Sequence, residues 1–188
     1  TDVSANYALT LNDGKLTITK AAAGLNVVTA TAVTEVYNGQ PHGLTPSASQ
    51  ESSTLMYSTD NGSTWKAEAP QYTDAGTYPV WVKATNPNYE DSSIVESSIT
   101  ISRAPVTING NTLSVAYDGS EKTLGGGSVA AETPLVSGQT LSVTAEVKKT
   151  AVGEYPLDLT EANVKVLNGT TDVSANYALT LNDGKLTI

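Results

Sequence analysis

The sequence predicts an all-β fold, built as two small tandem β-sandwich domains arranged end to end as a rod. Three observations carry this. Apolar residues alternate along short segments, which places them on one face of a strand, and no long stretch repeats them at the 3.6-residue period of a helix. Threonine (27) and serine (18) crowd the 188 residues, while charged residues make up only 15%; β-branched threonine suits a pleated, half-exposed surface. Finally, Thr1 to Ile18 recurs letter for letter as Thr171 to Ile188, and self-similarity at a fixed offset marks a repeat architecture.

The identical segments lie 170 residues apart. Chance does not produce such a match. The sequence is therefore expected to hold one full period plus an overlap of 18 residues, with the parent protein continuing on both sides. A weaker repeat lies inside the period. Val36-Tyr37-Asn38-Gly39 matches Ala116-Tyr117-Asp118-Gly119, and Ala75-Gly76-Thr77-Tyr78-Pro79 matches Val152-Gly153-Glu154-Tyr155-Pro156. Asn88-Tyr89 followed by Ile99-Thr100-Ile101 matches Asn176-Tyr177 followed by Leu186-Thr187-Ile188. These anchors set the expected boundaries: 1–21 as the closing hairpin of a preceding repeat (an orphan copy of 171–188), 22–103 as one domain, and 104–188 as a second. The joints Ile18-Thr19-Lys20-Ala21 and Ile101-Ser102-Arg103-Ala104 are short and hold no Gly/Ser-rich spacer, unlike a flexible linker. Hence the expectation of a stiff rod.

Taken along the chain, the elements are these. Tyr7, Leu9 and Leu11 share a face, Asn12-Asp13-Gly14 offers a turn, and Leu16 and Ile18 return. This pattern reads as a hairpin, repeated at Tyr177 to Ile188. Asn38-Gly39, Asn61-Gly62 and Asp118-Gly119 are turn signals, since these pairs accept positive φ. Tyr78, Val80, Val82 and Ala84 alternate, as do Leu141, Val143, Ala145 and Val147. Gly125-Gly126-Gly127 marks a mobile loop or a bulge. Each domain is small, so tyrosine and tryptophan are expected to supply much of the core; the chain has nine Tyr, two Trp and no Phe.

A net charge of −9 argues against nucleic acid and anionic lipid, because ten scattered cations build no basic patch. No apolar run approaches the ~20 residues of a membrane span. Cysteine is absent, which excludes disulfide staples and thiolate metal sites.

Few motifs suggest chemistry. Ser58-Thr59-Asp60-Asn61-Gly62-Ser63-Thr64-Trp65 fits S-x-D-x-G-x-T-W and resembles the Asp-box of bacterial sialidases, a structural hairpin in that family. Asp60 is expected to accept backbone N–H bonds, Gly62 to take the left-handed position, and Trp65 to cover the turn. Asp74, Gly76 and Tyr78 resemble the D-x-G-x-Y of immunoglobulin-like domains, whose tyrosine forms a corner; Gly153 and Tyr155 repeat its second half. His42, the only histidine, reads as an exposed loop residue. Glu90-Asp91 reads as a solvated strand end, and no calcium loop is present. Lys83, Lys148 and Lys165 are conceivable donors for an intramolecular isopeptide bond, with no motif to decide it. No catalytic, cofactor-binding or metal-binding residue is expected. Trp65 and Trp81 are candidate ligand contacts if exposed.

The second domain resembles the MBG-type repeats of bacterial adhesins. The shared stretches are Tyr117 to Gly119, Leu135 to Thr140, Val152 to Pro156, Asn176-Tyr177 and Leu186 to Ile188. The first resembles the Ig-like repeats of Firmicutes surface proteins, through Tyr37 to Gly39, Tyr57 to Gly62, Asp74 to Tyr78 and Ala84 to Tyr89. Both an Ig-like and a β-grasp-like sandwich fit the pattern. The resemblance implies a non-catalytic stalk repeat at the bacterial cell surface, projecting a ligand-binding head, with neighbouring repeats of the same chain as partners. Three alternatives stand beside it: the repeats themselves bind a host glycoprotein or glycan, they serve as an accessory module of a surface enzyme, or they self-associate head-to-tail by strand exchange through residues 1–18 and 171–188.

Overall fold

The alternation of small β-branched and polar residues gives a chain of short strands, and the computed structural model is all-β, as the sequence predicts. It describes residues 1–188, Ala23 by its backbone alone. Among the described residues no helix is long and apolar enough to cross a membrane, and no strand of 21–102 pairs with a strand of 104–188.

In the first half the strands are β1 (Val28–Thr29), β2 (Val33–Val36), β3 (His42–Gly43), β4 (Ser47–Ala48), β5 (Thr54–Ser58), β6 (Gln71–Tyr72), β7 (Gly76–Thr85) and β8 (Val95–Ser102). A four-stranded sheet runs β2-β8-β7-β5, and β1-β4 and β3-β6 form antiparallel pairs. The alternating residues of β7 and β8 point inward: Val80, Val82, Ala84, Ile99 and Ile101 are buried together with Val28, Tyr37, Leu44 and Tyr57. Burying each such valine, leucine or isoleucine side chain stabilises the fold by about 1.5–3 kcal/mol.

The second half contains β9 (Ala104–Gly110), β10 (Thr112–Ser114), β11 (Lys122–Gly125), β12 (Gly127–Val129), β13 (Gln139–Val143), β14 (Glu146–Lys149), β15 (Glu154–Leu157), β16 (Val164–Asn168), β17 (Thr171–Asp172), β18 (Tyr177–Asn182) and β19 (Gly184–Thr187). Its sheets run β10-β19-β15, β12-β9-β18 and β13-β16-β17, with β11-β14 as a further pair. The pairing scheme repeats that of the first half. Parallel β2·β8 corresponds to parallel β10·β19, and antiparallel β7·β8 to β15·β19. The pairs β1·β4 and β3·β6 correspond to β9·β12 and β11·β14. A parallel bridge from Ala21 to Tyr89 matches the first rung of β9·β18, Ala104 to Tyr177.

Three sequence expectations are corrected. Residues 171–188 do not form a hairpin. β18 runs parallel to β9, while β19 pairs with β15 and β10, so the chain leaves one sheet and enters another. The Asn-Asp-Gly signal makes the crossing instead of a reversal: Asp183 Oδ1 accepts the Leu159 N–H at 2.8 Å. At Gly184 a Cβ would collide with the Asn111 carbonyl oxygen, so only glycine allows this approach. Nor do residues 1–18 form a hairpin. They carry a 3-10 turn at Ser4–Asn6 and no strand, and their apolar side chains are exposed. In addition, His42 lies in strand β3 opposite Tyr72, half-buried, with Nε2 3.0 Å from Asn38 Oδ1.

Candidate functional site

The structural feature with the most specific chemistry is the junction between the halves. β8 ends at Ser102 and β9 begins at Ala104, leaving Arg103 as the whole connection. The parallel pairing of β2 on β8 continues one step further, with the Tyr37 N–H donating to the Ser102 carbonyl at 2.9 Å. That step brings the Tyr37 ring, only 5% exposed, to the seam. It meets the Tyr177 ring edge-on, with centroids 5.4 Å apart and planes at 78°, a geometry worth about 0.5–1.5 kcal/mol beyond area burial.

Gln139 joins the two phenols. Its Nε2 donates to the Tyr37 hydroxyl at 2.7 Å, and its Oε1 accepts from the Tyr177 hydroxyl at 2.7 Å. The Val136 N–H in turn donates to the Tyr177 hydroxyl at 3.0 Å. Burial pushes the Tyr177 phenol above its ordinary range. Gly39, at φ +75°, presses against Val136, where any Cβ would lie 2.7 Å from Cγ1.

A second clamp uses a buried amide. Asn176 Nδ2 donates to Asp74 Oδ1 at 2.8 Å, and Asn176 Oδ1 accepts the Ala75 N–H at 2.7 Å. Asn176 is 4% exposed, so both ends of its side chain are spent across the seam. Each bond contributes a net stabilisation of about 0.5–1.5 kcal/mol, and leaving a buried partner unpaired costs about 1–3 kcal/mol.

The residues singled out from sequence fall mostly into local motifs. Tyr78 donates its hydroxyl to the Asp74 carbonyl at 3.0 Å, and Tyr155 repeats this to Ala151 at 3.1 Å. Both rings are half-buried and lie across Gly76 and Gly153, where a Cβ would come within 2.9 Å of the hydroxyl. Asp74 therefore serves the corner with its backbone and the junction with its side chain. The Asp-box folds as a hairpin closed by the Tyr57–Lys66 bridge. Asp60 accepts from Ser58 Oγ (2.7 Å), Thr64 N (2.9 Å) and Thr64 Oγ1 (2.6 Å). Those bonds, Thr64's first, hold its pKa down at about 2. Gly62 sits at φ +80°, and the Trp65 indole N–H donates to the Gly62 carbonyl at 3.0 Å. Trp65 and Trp81 are half-buried, and Lys83 Nζ stands 5.0 Å from the Trp65 ring centroid. An open groove beside the box is lined by Tyr57, Thr59, Thr64, Lys66, Pro70 and Tyr72, and by neither tryptophan. Lys83, Lys148 and Lys165 each form an ion pair with a partly exposed carboxylate, on Asp91, Glu146 and Asp172 respectively. Among the described residues no three His, Asp or Glu side chains gather as a metal site would require.

Sequence reasoning reaches Tyr37, Asn176 and Tyr177 as repeat anchors and misses their meeting. Gln139 lies inside the Leu135 to Thr140 stretch, where nothing local gives it a role. The contacts span about a hundred positions (Tyr37 to Gln139, Asp74 to Asn176), and no local spacing encodes them.

No family model matches the chain, and no curated protein matches it. Among solved structures, the D00-D0 domain of intimin overlaps with a TM-score of 0.35 at 10% identity, covering 87% of this chain and all (100%) of that one. Fibronectin(III)-like modules of Clostridium thermocellum CbhA overlap at 0.28 with 12% identity, covering 86% and 94%. At this overlap no role transfers, and the functional reading rests on the chain's own residues.

Proposed function

We propose that this chain is a spacer repeat: two sandwich domains, 22–103 and 104–188, that stack in a stiff extracellular stalk of a bacterial surface adhesin or fibre and carry no catalysis. The observation that supports it is the junction. A one-residue connection and two side-chain clamps across the seam, Tyr37–Gln139–Tyr177 and Asp74–Asn176–Ala75, restrict how the halves can rotate. A stalk needs that restriction; a pair of independent binding modules does not. In an array of such units stability is roughly the sum of unit and nearest-neighbour terms. The test is backbone 15N relaxation with small-angle scattering on the intact chain. One shared rotational correlation time and an elongated envelope are expected, and the double variant Gln139→Ala/Asn176→Ala should separate the motions. Independent tumbling of the halves in the unaltered chain would defeat the reading.

A second reading has its own observation. Residues 1–18 expose Tyr7, Leu9, Leu11, Leu16 and Ile18, yet the same letters at 171–188 fill a slot in the second half. An exchanged copy would make the same contacts, so exchange between molecules is limited by concentration and not by fit. Light scattering across a concentration series checks it: growth of head-to-tail oligomers that vanishes on removing residues 1–18 supports exchange, and a strict monomer at every concentration refutes it.

A further inference from the structure

The second half carries a surface that corresponds, position by position, to the one the first half uses at the junction. Thr34 pairs with Thr100 and Ser114 with Thr187. Three residues on from each stand Tyr37 and Tyr117. Two further on stand Gly39 and Gly119, both in the left-handed region at φ +75° and +81°. The corner tyrosines Tyr78 and Tyr155 donate to the carbonyls of Asp74 and Ala151, which places Val152 where Ala75 stands. In the first half this surface is covered: Tyr37 is 5% exposed. In the second it is open, with Tyr117 59% and Val152 70% exposed.

In an array of such repeats, the residues that follow the closing segment are read from its identical N-terminal copy. That identical copy, 1–18, runs directly into Thr19-Lys20-Ala21 and the first half. This tether has the same length as Ser102-Arg103-Ala104. It also enters its unit at the same place, because Ala21 bridges Tyr89 in parallel as Ala104 bridges Tyr177. Equal tethers entering equivalent strands bring Asn88-Tyr89 of a following unit to the place that Asn176-Tyr177 takes at the observed junction.

We propose that Tyr117, Gly119 and Val152 form the docking face for a following copy of residues 19–102, received through its Asn88 and Tyr89. The proposal rests on the spacer-repeat reading and extends it to the second kind of junction an array requires. The two junctions differ at two of these positions. Ala151 stands where Asp74 stands, so the carboxylate–amide bond has no counterpart, and the exposed Val152 side chain replaces the smaller Ala75. The new junction is more apolar, held by Tyr117, Val152 and the Val152 N–H.

The test is a chain in which residues 19–188 follow Ile188 once more, compared with the 188-residue chain. Amide exchange at Val152 and hydroxyl-radical labelling of Tyr117 are read in the first period. Both are expected to slow on the order of tenfold or more, as for groups taken from solvent into packed structure. Tyr117→Ser in that period should return Val152 to fast exchange without altering the 188-residue chain. The Ala75 N–H serves as internal reference for the observed junction. If Ala75 is protected while Val152 and Tyr117 react alike in both chains, the docking face is refuted and the spacer reading stands. If Ala75 is unprotected as well, both fall.

Discussion

Residues 1–18 and 171–188 are the same eighteen letters in two structures. What they share is local. Each opens with a 3-10 turn, Ser4–Asn6 and Ser174–Asn176, and in each the serine N–H donates to the carboxylate two residues earlier at 2.9 Å. What they do not share is every strand. Tyr7 is 68% exposed and Tyr177 2%; Leu16 is 86% exposed and Leu186 0%. Short-range hydrogen bonds survive without context. Strands need neighbours, because a ladder's partners lie elsewhere in the chain and a lone two-stranded unit is marginal in water. Here the neighbours are β9, β10 and β15, present beside one copy only.

The most severe way to break the comparison is to delete each copy in turn. Without residues 171–188 the second half loses β17, β18 and β19 with the buried Tyr177, Leu186 and Ile188, and is expected to unfold. Without residues 1–18 thermal and urea melts should be unchanged. The first deletion also empties the slot for which residues 1–18 are an identical replacement. Raising its concentration should therefore restore β-structure together with head-to-tail association, read by circular dichroism and light scattering. Cooperative unfolding of both halves in a monomeric chain lacking 171–188 would show that the slot is not structural.

A single leucine makes the same point more finely. Leu186→Ala removes a fully buried side chain between β10 and β15 and should destabilise by about 2–5 kcal/mol. Leu16→Ala, the same substitution in the same local sequence, should fall within about 0.5 kcal/mol of zero. Urea midpoints at constant slope decide it. Equal losses would mean that residues 1–18 are packed in solution.

Asn176 and Asn6 extend the contrast to a polar group. Asn176→Ala leaves Asp74 and the Ala75 N–H without their partner at the seam, for a loss of about 1–3 kcal/mol, whereas Asn6→Ala should be neutral. The effect should also free the halves to move, so relaxation data and melts should change together. A lost melt temperature with unaltered shared tumbling would make Asn176 a core residue only.

Legibility in the sequence divides along the same line. Alternation places Val80, Val82 and Ala84 inside. The Asp60–Gly62 turn and the Tyr78 corner are readable because their bonds close within four residues. The Asn-Asp-Gly run reads as a hairpin and is not one. A turn signal says that the chain bends, and only the partner strands, here β9 and β15, decide whether it reverses or changes sheet. The junction is invisible for the same reason. Gln139 bonds Tyr37 across a hundred-odd positions, and parallel pairings such as β9·β18 join segments far apart in sequence.

The smallest expected effect tests the shared, local part. Asp2 and Asp172 are both held below the ordinary carboxylate range, Asp2 first by the Ser4 backbone N–H and Asp172 first by the Ser174 hydroxyl. A depressed folded-state pKa contributes stability that is present above the unfolded value and is lost as pH falls through the folded one. Both turns should therefore loosen only below about pH 4, the ordinary aspartate range, and carboxyl NMR titration should find both groups low. Asp172 alone adds an ion pair, Lys165 at 3.3 Å. That pair is exposed, so salt should screen it: at high ionic strength the Asp172 titration moves up, while that of Asp2 stays put. Should Asp2 titrate at its ordinary value, the turn would depend on the fold after all, and the one feature the two copies share would be lost.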